Sequence, residues 1–100
     1  MKQRAVAYTE EAANDLEWIY DTVARGSASP ATAGRYETAI RHFCDRLGHA
    51  AMRGRRRDEV RPGLRIVGFR GRVTVAFVVE DERVVILRIF YGGADWERSL

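Results

Sequence analysis

The last two-fifths of the chain carry apolar residues at nearly every position of three predicted strands. These strands fall at about Leu64–Phe69, Val73–Glu80 and Arg83–Tyr91. The links between them, Arg70-Gly71 and Asp81-Glu82, are too short for a crossover, so an antiparallel meander is expected. Strands that are apolar on both faces are typical of a sheet that is buried on both sides.

Alternation divides the last strand into two sets of side chains. We expect Val85, Leu87, Ile89 and Tyr91 on one face of the sheet, and Val84, Ile86, Arg88 and Phe90 on the other. Both sets are apolar apart from Arg88.

Upstream of the meander, the pattern predicts a short strand and then two amphipathic helices. The strand spans about Arg4–Tyr8, and Thr9 is a good N-cap for a helix that runs to about Ala24. Ser29 and Pro30 begin a second helix, which a C-terminal glycine stop at Gly48 should end. A short breaker separates the helices, so they should pack as an antiparallel hairpin. Residues 49–62 are predicted to be irregular.

The fold class that follows is α+β. We expect the order β-α-α-β-β-β, with the helical hairpin packed on one face of a mainly antiparallel sheet, in one domain over residues 1–100. Two helices cover only one face, so the other apolar face should bind a partner. Two alternatives are homodimerisation through the sheet and partial cover by the Arg-rich loop.

The basic residues are concentrated rather than spread. The chain has 17 Lys and Arg against 14 Asp and Glu, and eight arginines fall between Arg53 and Arg72. Arginine forks suit phosphates and carboxylates, so the cluster indicates a solvated surface, an acidic partner segment or a nucleic-acid backbone. A single cysteine, Cys44, fits a reducing compartment. No apolar run has membrane-spanning length and no Cys/His cluster occurs, so we expect a cytoplasmic protein without metal, cofactor or membrane partner.

Little enzymology is visible in the sequence. There is no phosphate-binding glycine loop and no nucleophile motif, and neither His42 nor His49 has a carboxylate beside it to orient the ring. A ribonuclease without histidine would need arginines around the phosphate and a Tyr or Lys for proton transfer, but the only lysine is Lys2.

Several stretches together resemble the RelE/ParE toxin superfamily, and within it the ParE branch. They are Ala12-Ala13-Asn14-Asp15-Leu16-Glu17-Trp18-Ile19, Ala33-Gly34-Arg35-Tyr36, Met52-Arg53-Gly54-Arg55, Gly63-Leu64-Arg65, and Val85 to Trp96 with its Tyr-Gly-Gly-Ala-Asp-Trp ending. The resemblance covers nearly the whole chain. It implies a bacterial type II toxin that poisons DNA gyrase, and a ParD-like antitoxin that wraps around it and alone carries it to DNA.

The resemblance leaves two other functions open. RelE-like relatives are ribosome-dependent mRNA endonucleases that use an arginine shortly after the last strand and a C-terminal Tyr or His. This sequence has Gly93-Ala94 after the strand and Leu100 at its end, which favours a gyrase poison over an enzyme. Relatives of the ParE branch often carry a basic run where this chain has Tyr91-Gly92-Gly93-Ala94, so a non-toxic domain for antitoxin binding and autoregulation is the other alternative.

Two sets of site residues follow from the pattern and the resemblance. For antitoxin binding we expect exposed residues of the helices and sheet, namely Leu16, Ile19, Tyr20, Phe77, Ile86, Arg88 and Phe90. We also expect an Arg88→Glu change to weaken the antitoxin complex without disturbing the fold. For target poisoning we expect Arg65, Arg70, Arg72, Tyr91, Asp95 and Trp96. Trp96 has a second interpretation, as a tail anchor packed on the helices.

Overall fold

The chain is described by a computed structural model over residues 2–93 and 95–100. Its elements are β1 (Ala5–Tyr8), α1 (Glu10–Ser27), α2 (Pro30–Arg46), β2 (Arg55–Arg56), β3 (Arg65–Phe69), β4 (Val73–Val79), β5 (Arg83–Tyr91) and a 3₁₀ helix (Trp96–Ser99). This arrangement confirms the α+β class with its helical hairpin and meander. The short β2 and the 3₁₀ helix were not predicted. Ala94, part of the predicted tail motif, lies outside the described residues.

Both helices begin at the predicted caps. The Thr9 hydroxyl oxygen accepts the Ala12 N–H at 3.0 Å, and the Ser29 hydroxyl oxygen accepts the Thr32 N–H at 3.2 Å. α1 continues past its predicted end near Ala24, through Gly26, to Ser27. It ends because Ala28 adopts the left-handed conformation, with φ 55°. That conformation favours glycine, so Ala28 ends the helix at a cost in free energy.

Gly48 serves a different purpose from the predicted helix stop. α2 already ends at Arg46, and Gly48 has no positive φ. Its carbonyl accepts the Arg4 N–H at 2.8 Å, and a Cβ at Gly48 would overlap the Arg4 carbonyl oxygen. The glycine therefore allows the end of α2 to contact the chain just before β1.

The sheet has the order β1-β5-β4-β3-β2. The β2–β3, β3–β4 and β4–β5 pairs are antiparallel, and β1 pairs in parallel with β5, with Ala5 opposite Arg83 and Tyr8 opposite Ile86. The helical hairpin provides the long crossover that a parallel pair requires. The prediction of a mainly antiparallel sheet is therefore confirmed.

A β-bulge in β5 corrects the predicted division of its side chains. Ala76 pairs with Arg88, whereas the next residue, Phe77, pairs with Ile86, so Leu87 is the extra residue. Val84 and Ile86 therefore share the helix-facing side with Ile89 and Tyr91, while Val85, Leu87 and Phe90 face the other side. The expected alternation put Val84 and Ile86 on the face opposite Ile89 and Tyr91. That expectation is wrong because it assumed a strand without an inserted residue.

Each face of the sheet has its own hydrophobic core. The helix-side core joins Leu16, Ile19, Ile40 and Leu47 to the sheet around Phe77. The outer core consists of Leu64, Ile66, Ala76, Leu87 and Phe90, against which Val60, Trp96 and Leu100 pack. The sequence suggested that this second face stays open for a partner. That expectation is wrong for the outer core, because residues of the Arg-rich loop and of the C-terminal tail cover it.

Arg57 ties the loop to the tail. Its guanidinium lies 4.9 Å from the centre of the Trp96 ring, and one of its nitrogens lies 3.3 Å from a Glu97 carboxylate oxygen. The Arg57 N–H donates to the Leu64 carbonyl at 2.9 Å, which fixes the loop to the chain entering β3. Arg57 thus holds the cover of the outer core in place.

Candidate functional site

Four of the residues expected to be exposed for antitoxin binding lie in the core. Leu16, Phe77 and Ile86 are fully buried, and Ile19 is almost so. The expectation of exposure is wrong for them because the helix stripe and the sheet face that carry them pack against each other. Tyr20 is half-buried, and Phe90 belongs to the outer core with a small exposed fraction. Arg88 is half-buried.

Two depressions flank the C-terminal end of β5. The first, which we call the α1 groove, has a volume of about 500 Å³ and lies between α1, the end of β5 and the tail. Its lining residues are Asn14, Asp15, Trp18, Arg88, Ile89, Phe90, Tyr91 and Ser99. It brings Arg88 and Phe90 together with Trp18, whose side chain is 55% exposed. Trp18 is the large apolar surface of this groove.

Asp15 organises the wall of the α1 groove. Its carboxylate accepts two hydrogen bonds from the Arg88 guanidinium, at 2.8 and 3.0 Å, and a third from the Ile89 N–H at 2.8 Å. β1 ends at Tyr8, opposite Ile86, so it does not pair with β5 at Ile89. There the Asp15 carboxylate accepts the backbone N–H in place of a strand partner. These hydrogen bonds raise the pKa of Arg88 and hold its side chain across Phe90, 4.8 Å from the ring centre.

The second depression, which we call the basic cleft, lies between α2 and the β3–β4 turn. Its volume is about 450 Å³, and its lining residues are Val23, Thr32, Arg35, Tyr36, Ala39, Arg70, Arg72 and Tyr91. Three arginines therefore converge on one concave surface whose lining carries no carboxylate. Tyr91 lines both depressions, and its ring is edge-on to Trp18 at 6.5 Å and to Tyr36 at 6.0 Å.

Tyr36 gives the basic cleft a polar group without a partner. Its hydroxyl oxygen is buried and has no hydrogen-bond partner within the described residues. Burial raises the pKa of Tyr36, as does Tyr91, while the charges of Arg72 and Arg70 oppose the rise. The phenol is therefore neutral at physiological pH and keeps its proton as a hydrogen-bond donor.

Arg70 occupies a strained position beside the cleft. It has φ 53° in the β3–β4 turn, followed by Gly71 with φ 72°, and the Arg72 N–H closes the turn on the Phe69 carbonyl at 3.4 Å. Two consecutive positive φ values suit Asn-Gly or Gly-Gly, and a bulky residue in the left-handed region costs about 1–2 kcal/mol. The exposed Arg70 side chain lies 5.0 Å from the Phe69 ring.

The structure separates the residues expected to poison a target. Arg70, Arg72 and Tyr91 meet in the basic cleft. Arg65 lies at the other end of β3, where it donates to the Arg53 carbonyl at 3.4 Å. Asp95 is exposed and pairs with Arg98 at 3.0 Å. Trp96 is a tail anchor, but on the outer face of the sheet rather than on the helices.

Sequence reasoning did not select Trp18, Arg35 or Tyr36 as site residues. Trp18 carried a usable signal, since it is a large aromatic residue on the otherwise polar face of α1. Arg35 and Tyr36 carried a weaker one, because their helix was known but its position over the β3–β4 turn was not.

Metal and nucleophile chemistry have little basis in the described part of the chain. No group of three His, Cys, Asp or Glu side chains is placed there to hold a metal ion. Cys44 is fully buried, and burial raises the pKa of its thiol to about 12. None of the described helices has both the length and the apolar character needed to cross a membrane.

Comparisons with known proteins give a match to one family and similarity to solved structures. The family described as the ParE toxin of the type II toxin–antitoxin system parDE matches residues 6–96. A chain of the chromosomal ParDE toxin–antitoxin system from P. aeruginosa is 26% identical, with a TM-score of 0.76, over 90% of this chain and 97% of that one. A chain of the RelBE2 toxin–antitoxin complex from Mycobacterium tuberculosis shares the fold at 22% identity, with a TM-score of 0.62, over 89% and 98% of the two chains. No curated protein sequence gives a significant match.

Proposed function

Because this chain belongs to the ParE toxin family of type II toxin–antitoxin systems, we propose that it inhibits DNA gyrase and is neutralised by a ParD-like antitoxin. The observation that carries this proposal is the family match over residues 6–96, which spans both helices, the sheet except for Ala5, and the tail anchor Trp96. On the same basis we propose that the protein acts in the bacterial cytoplasm and reaches DNA only through its antitoxin.

The basic cleft is the proposed contact for the target. Arg70 and Arg72 meet Tyr91 there, and the exposed guanidinium groups of the two arginines suit an anionic surface. Arg65, Asp95 and Trp96 contact other parts of the chain instead, so we leave them out of the proposed target contact. A deletion of the tail is a poor test of poisoning, since it would also uncover the outer core.

The α1 groove is the proposed contact for the antitoxin. It offers the exposed Trp18 indole, the half-buried Tyr91 ring and the Arg88 guanidinium to an amphipathic segment with acidic residues. Aromatic and arginine side chains in a concave setting are the usual centres of binding energy at protein interfaces. Tyr20 does not line the groove, because it lies two residues after Trp18 and therefore on a different face of α1.

The test of the target is a supercoiling and cleavage assay with purified gyrase, ATP, plasmid and this protein. Loss of supercoiling or trapped cleaved DNA is the expected result. Arg72→Ala should weaken inhibition, whereas Arg61→Ala, which removes the same charge from an exposed loop position outside the cleft, should not. Undisturbed supercoiling at toxin concentrations well above those of gyrase would refute the gyrase proposal.

The test of the antitoxin contact is a titration of the chain with its antitoxin. Trp18→Ala should lower the affinity about tenfold or more, because a large aromatic surface contributes roughly 1.5–3 kcal/mol when it is buried. Met52→Ala is the matched control, since Met52 is, among the described residues, the other large apolar side chain that is mostly exposed, and it lies outside the groove. Equal affinities for the two variants would remove the α1 groove from the interface.

One observation favours an mRNA endonuclease as a second candidate. The unpaired Tyr36 hydroxyl lies beside Arg70 and Arg72, and a neutral phenol near guanidinium groups can donate a proton to a leaving oxygen at a phosphate. Translating ribosomes with a defined mRNA, run beside the gyrase assay, decide between the two. Cut mRNA with normal supercoiling would support the endonuclease, and no effect in either assay would support a non-toxic antitoxin-binding domain.

A further inference from the structure

The three arginines of the basic cleft have no acidic partner among the described residues, which is also true of seven other arginines, but these three line one depression without a carboxylate. Arg56, Arg57, Arg83, Arg88 and Arg98 each lie within salt-bridge distance of a carboxylate. For Arg35, Arg70 and Arg72 no carboxylate lies within 4.0 Å among the described residues. Their charges therefore repel one another in a concave surface, and a bound anion would relieve that repulsion.

The local structure keeps Arg70 at the cleft in spite of its backbone strain. Asparagine or glycine would suit its left-handed position in the turn better than arginine does. Strain of this kind persists where a side chain serves a function that the fold alone does not require. The guanidinium is exposed rather than engaged in a salt bridge, so stability of the turn does not explain it.

The Tyr36 hydroxyl adds a hydrogen-bond donor to the three charges. A buried polar atom without a partner is uncommon and calls for a physical reason. An anion in the cleft would supply the acceptor that this hydroxyl lacks. Three guanidinium groups and one neutral hydroxyl form a donor set that suits the oxygens of a phosphate.

A row of aromatic rings leads out of the cleft. Tyr36 contacts Tyr91, and Tyr91 contacts Trp18, the most exposed of the three. Guanidinium groups followed by accessible aromatic rings are the combination that binds single-stranded nucleic acid, since phosphates take the charges and bases stack on the rings. An acidic peptide would use the charges but would leave the aromatic row without a planar partner.

We propose that the basic cleft binds a backbone phosphate of single-stranded nucleic acid, with adjacent bases stacked on Tyr91 and Trp18. This inference rests on the proposed function for its use, since a gyrase poison acts on an enzyme that holds DNA. It departs from the expectation that the toxin reaches DNA only through its antitoxin. The binding itself requires neither gyrase nor antitoxin.

The test is fluorescence anisotropy of the purified chain with a labelled twelve-nucleotide oligothymidine and with an oligouridine of the same length. The dissociation constant is measured between 50 and 200 mM salt. Each guanidinium that neutralises a phosphate contributes about 0.7 to the slope of log affinity against log salt for single strands. Arg70→Asn should weaken binding at least fivefold and lower that slope by about 0.7, and Tyr36→Phe should weaken it about threefold without changing the slope.

The variants separate loss of binding from loss of folding. Arg70→Asn relieves the turn, so its unfolding temperature should rise while its affinity falls. Arg61→Ala is the matched control, because it removes one exposed arginine outside the cleft and should change the affinity less than twofold. Tighter binding of the thymidine or of the uridine strand tells DNA from RNA, and either result supports the proposal.

Three results would overturn the inference. They are no binding of either oligonucleotide at 50 mM salt, equal losses for Arg70→Asn and Arg61→Ala, and displacement of the oligonucleotide by an oligoglutamate peptide of lower concentration. The gyrase assay is scored separately. Inhibited gyrase without oligonucleotide binding would refute this inference alone, and oligonucleotide binding with unaffected gyrase would refute the proposed target alone.

Discussion

Removal of the Asp15 carboxylate should destabilise the fold far more than its position on a helix surface suggests. Asp15 accepts two hydrogen bonds from Arg88 and one from the N–H of Ile89, a residue that is 2% exposed. Asp15→Ala leaves that buried donor and the guanidinium without their acceptor. A hydrogen bond to a charged group contributes roughly 1.5–3 kcal/mol, and partial exposure of the pair reduces the sum, so we expect a loss of about 2–3 kcal/mol.

The measurement is urea and thermal unfolding of the isolated chain followed by circular dichroism. For a chain of this size the loss corresponds to a fall in the unfolding temperature of roughly 10–20 °C. Asp21→Ala is the matched control, because it makes the same change at an exposed position of α1 and gains the same helix propensity. Asp15→Asn should lie between the two variants, since its amide oxygen still accepts from Ile89.

The reasoning fails if Asp15→Ala and Asp21→Ala differ by less than about 0.5 kcal/mol, the usual range for surface changes. The same contacts bear on the expectation that Arg88→Glu spares the fold. That change would place a second carboxylate against Asp15, so we now expect it to destabilise the chain. Charge reversal at Arg88 therefore does not isolate an antitoxin contact, and Trp18→Ala is the cleaner variant.

Three further outcomes can be checked on the isolated chain. Ala28→Gly should raise the unfolding free energy by about 0.5–1 kcal/mol in a urea titration, because φ 55° costs glycine little; an unchanged or lower value would contradict the strain at Ala28. Trp96→Ala should cost about 2 kcal/mol and increase dye binding to exposed apolar surface, whereas a neutral effect would mean that the tail does not seal the outer core. The pKa of the Cys44 thiol is raised from 9.0 to about 12, so its contribution to stability is complete below pH 9 and is lost as pH rises toward 12; Cys44→Ala should flatten that alkaline decline in unfolding free energy, and an identical decline would refute the assignment.

The sequence was sufficient for the order of elements but not for the faces of the sheet. Caps at Thr9 and Ser29 and the short links of the meander are local signals, and they located the starts of both helices and the turns between the strands. The bulge at Leu87 cannot be recognised in the sequence, because both faces of β5 are apolar and a register shift of one residue leaves the apolar pattern unchanged. The same ambiguity applies to Ile86, whereas Leu16, Ile19 and Phe77 lie in the core because the stripe of α1 packs on the sheet face that carries Phe77.

The candidate sites depended on contacts between residues distant in sequence. The basic cleft joins Arg35 of α2 to Arg70 and Arg72 of a turn and to Tyr91 at the end of β5. Residue type alone suggested Arg70, Arg72 and Tyr91. It also suggested Arg65, Asp95 and Trp96, which lie outside the cleft in the folded chain. The density of arginines in the sequence indicated a basic region, whereas the position of α2 beside the β3–β4 turn determined which arginines meet.

The parallel pairing of β1 with β5 has a consequence for synthesis on the ribosome. β1 is made well before its sheet partner β5, and the contact between Thr9 and Leu87 joins positions 78 residues apart. At translation rates of about 5–20 residues per second, β1 waits roughly 4–16 s for β5. Both depressions are lined by the end of β5, so neither exists on a nascent chain that still lacks β5. The protein therefore gains both binding surfaces only once β5 has been made.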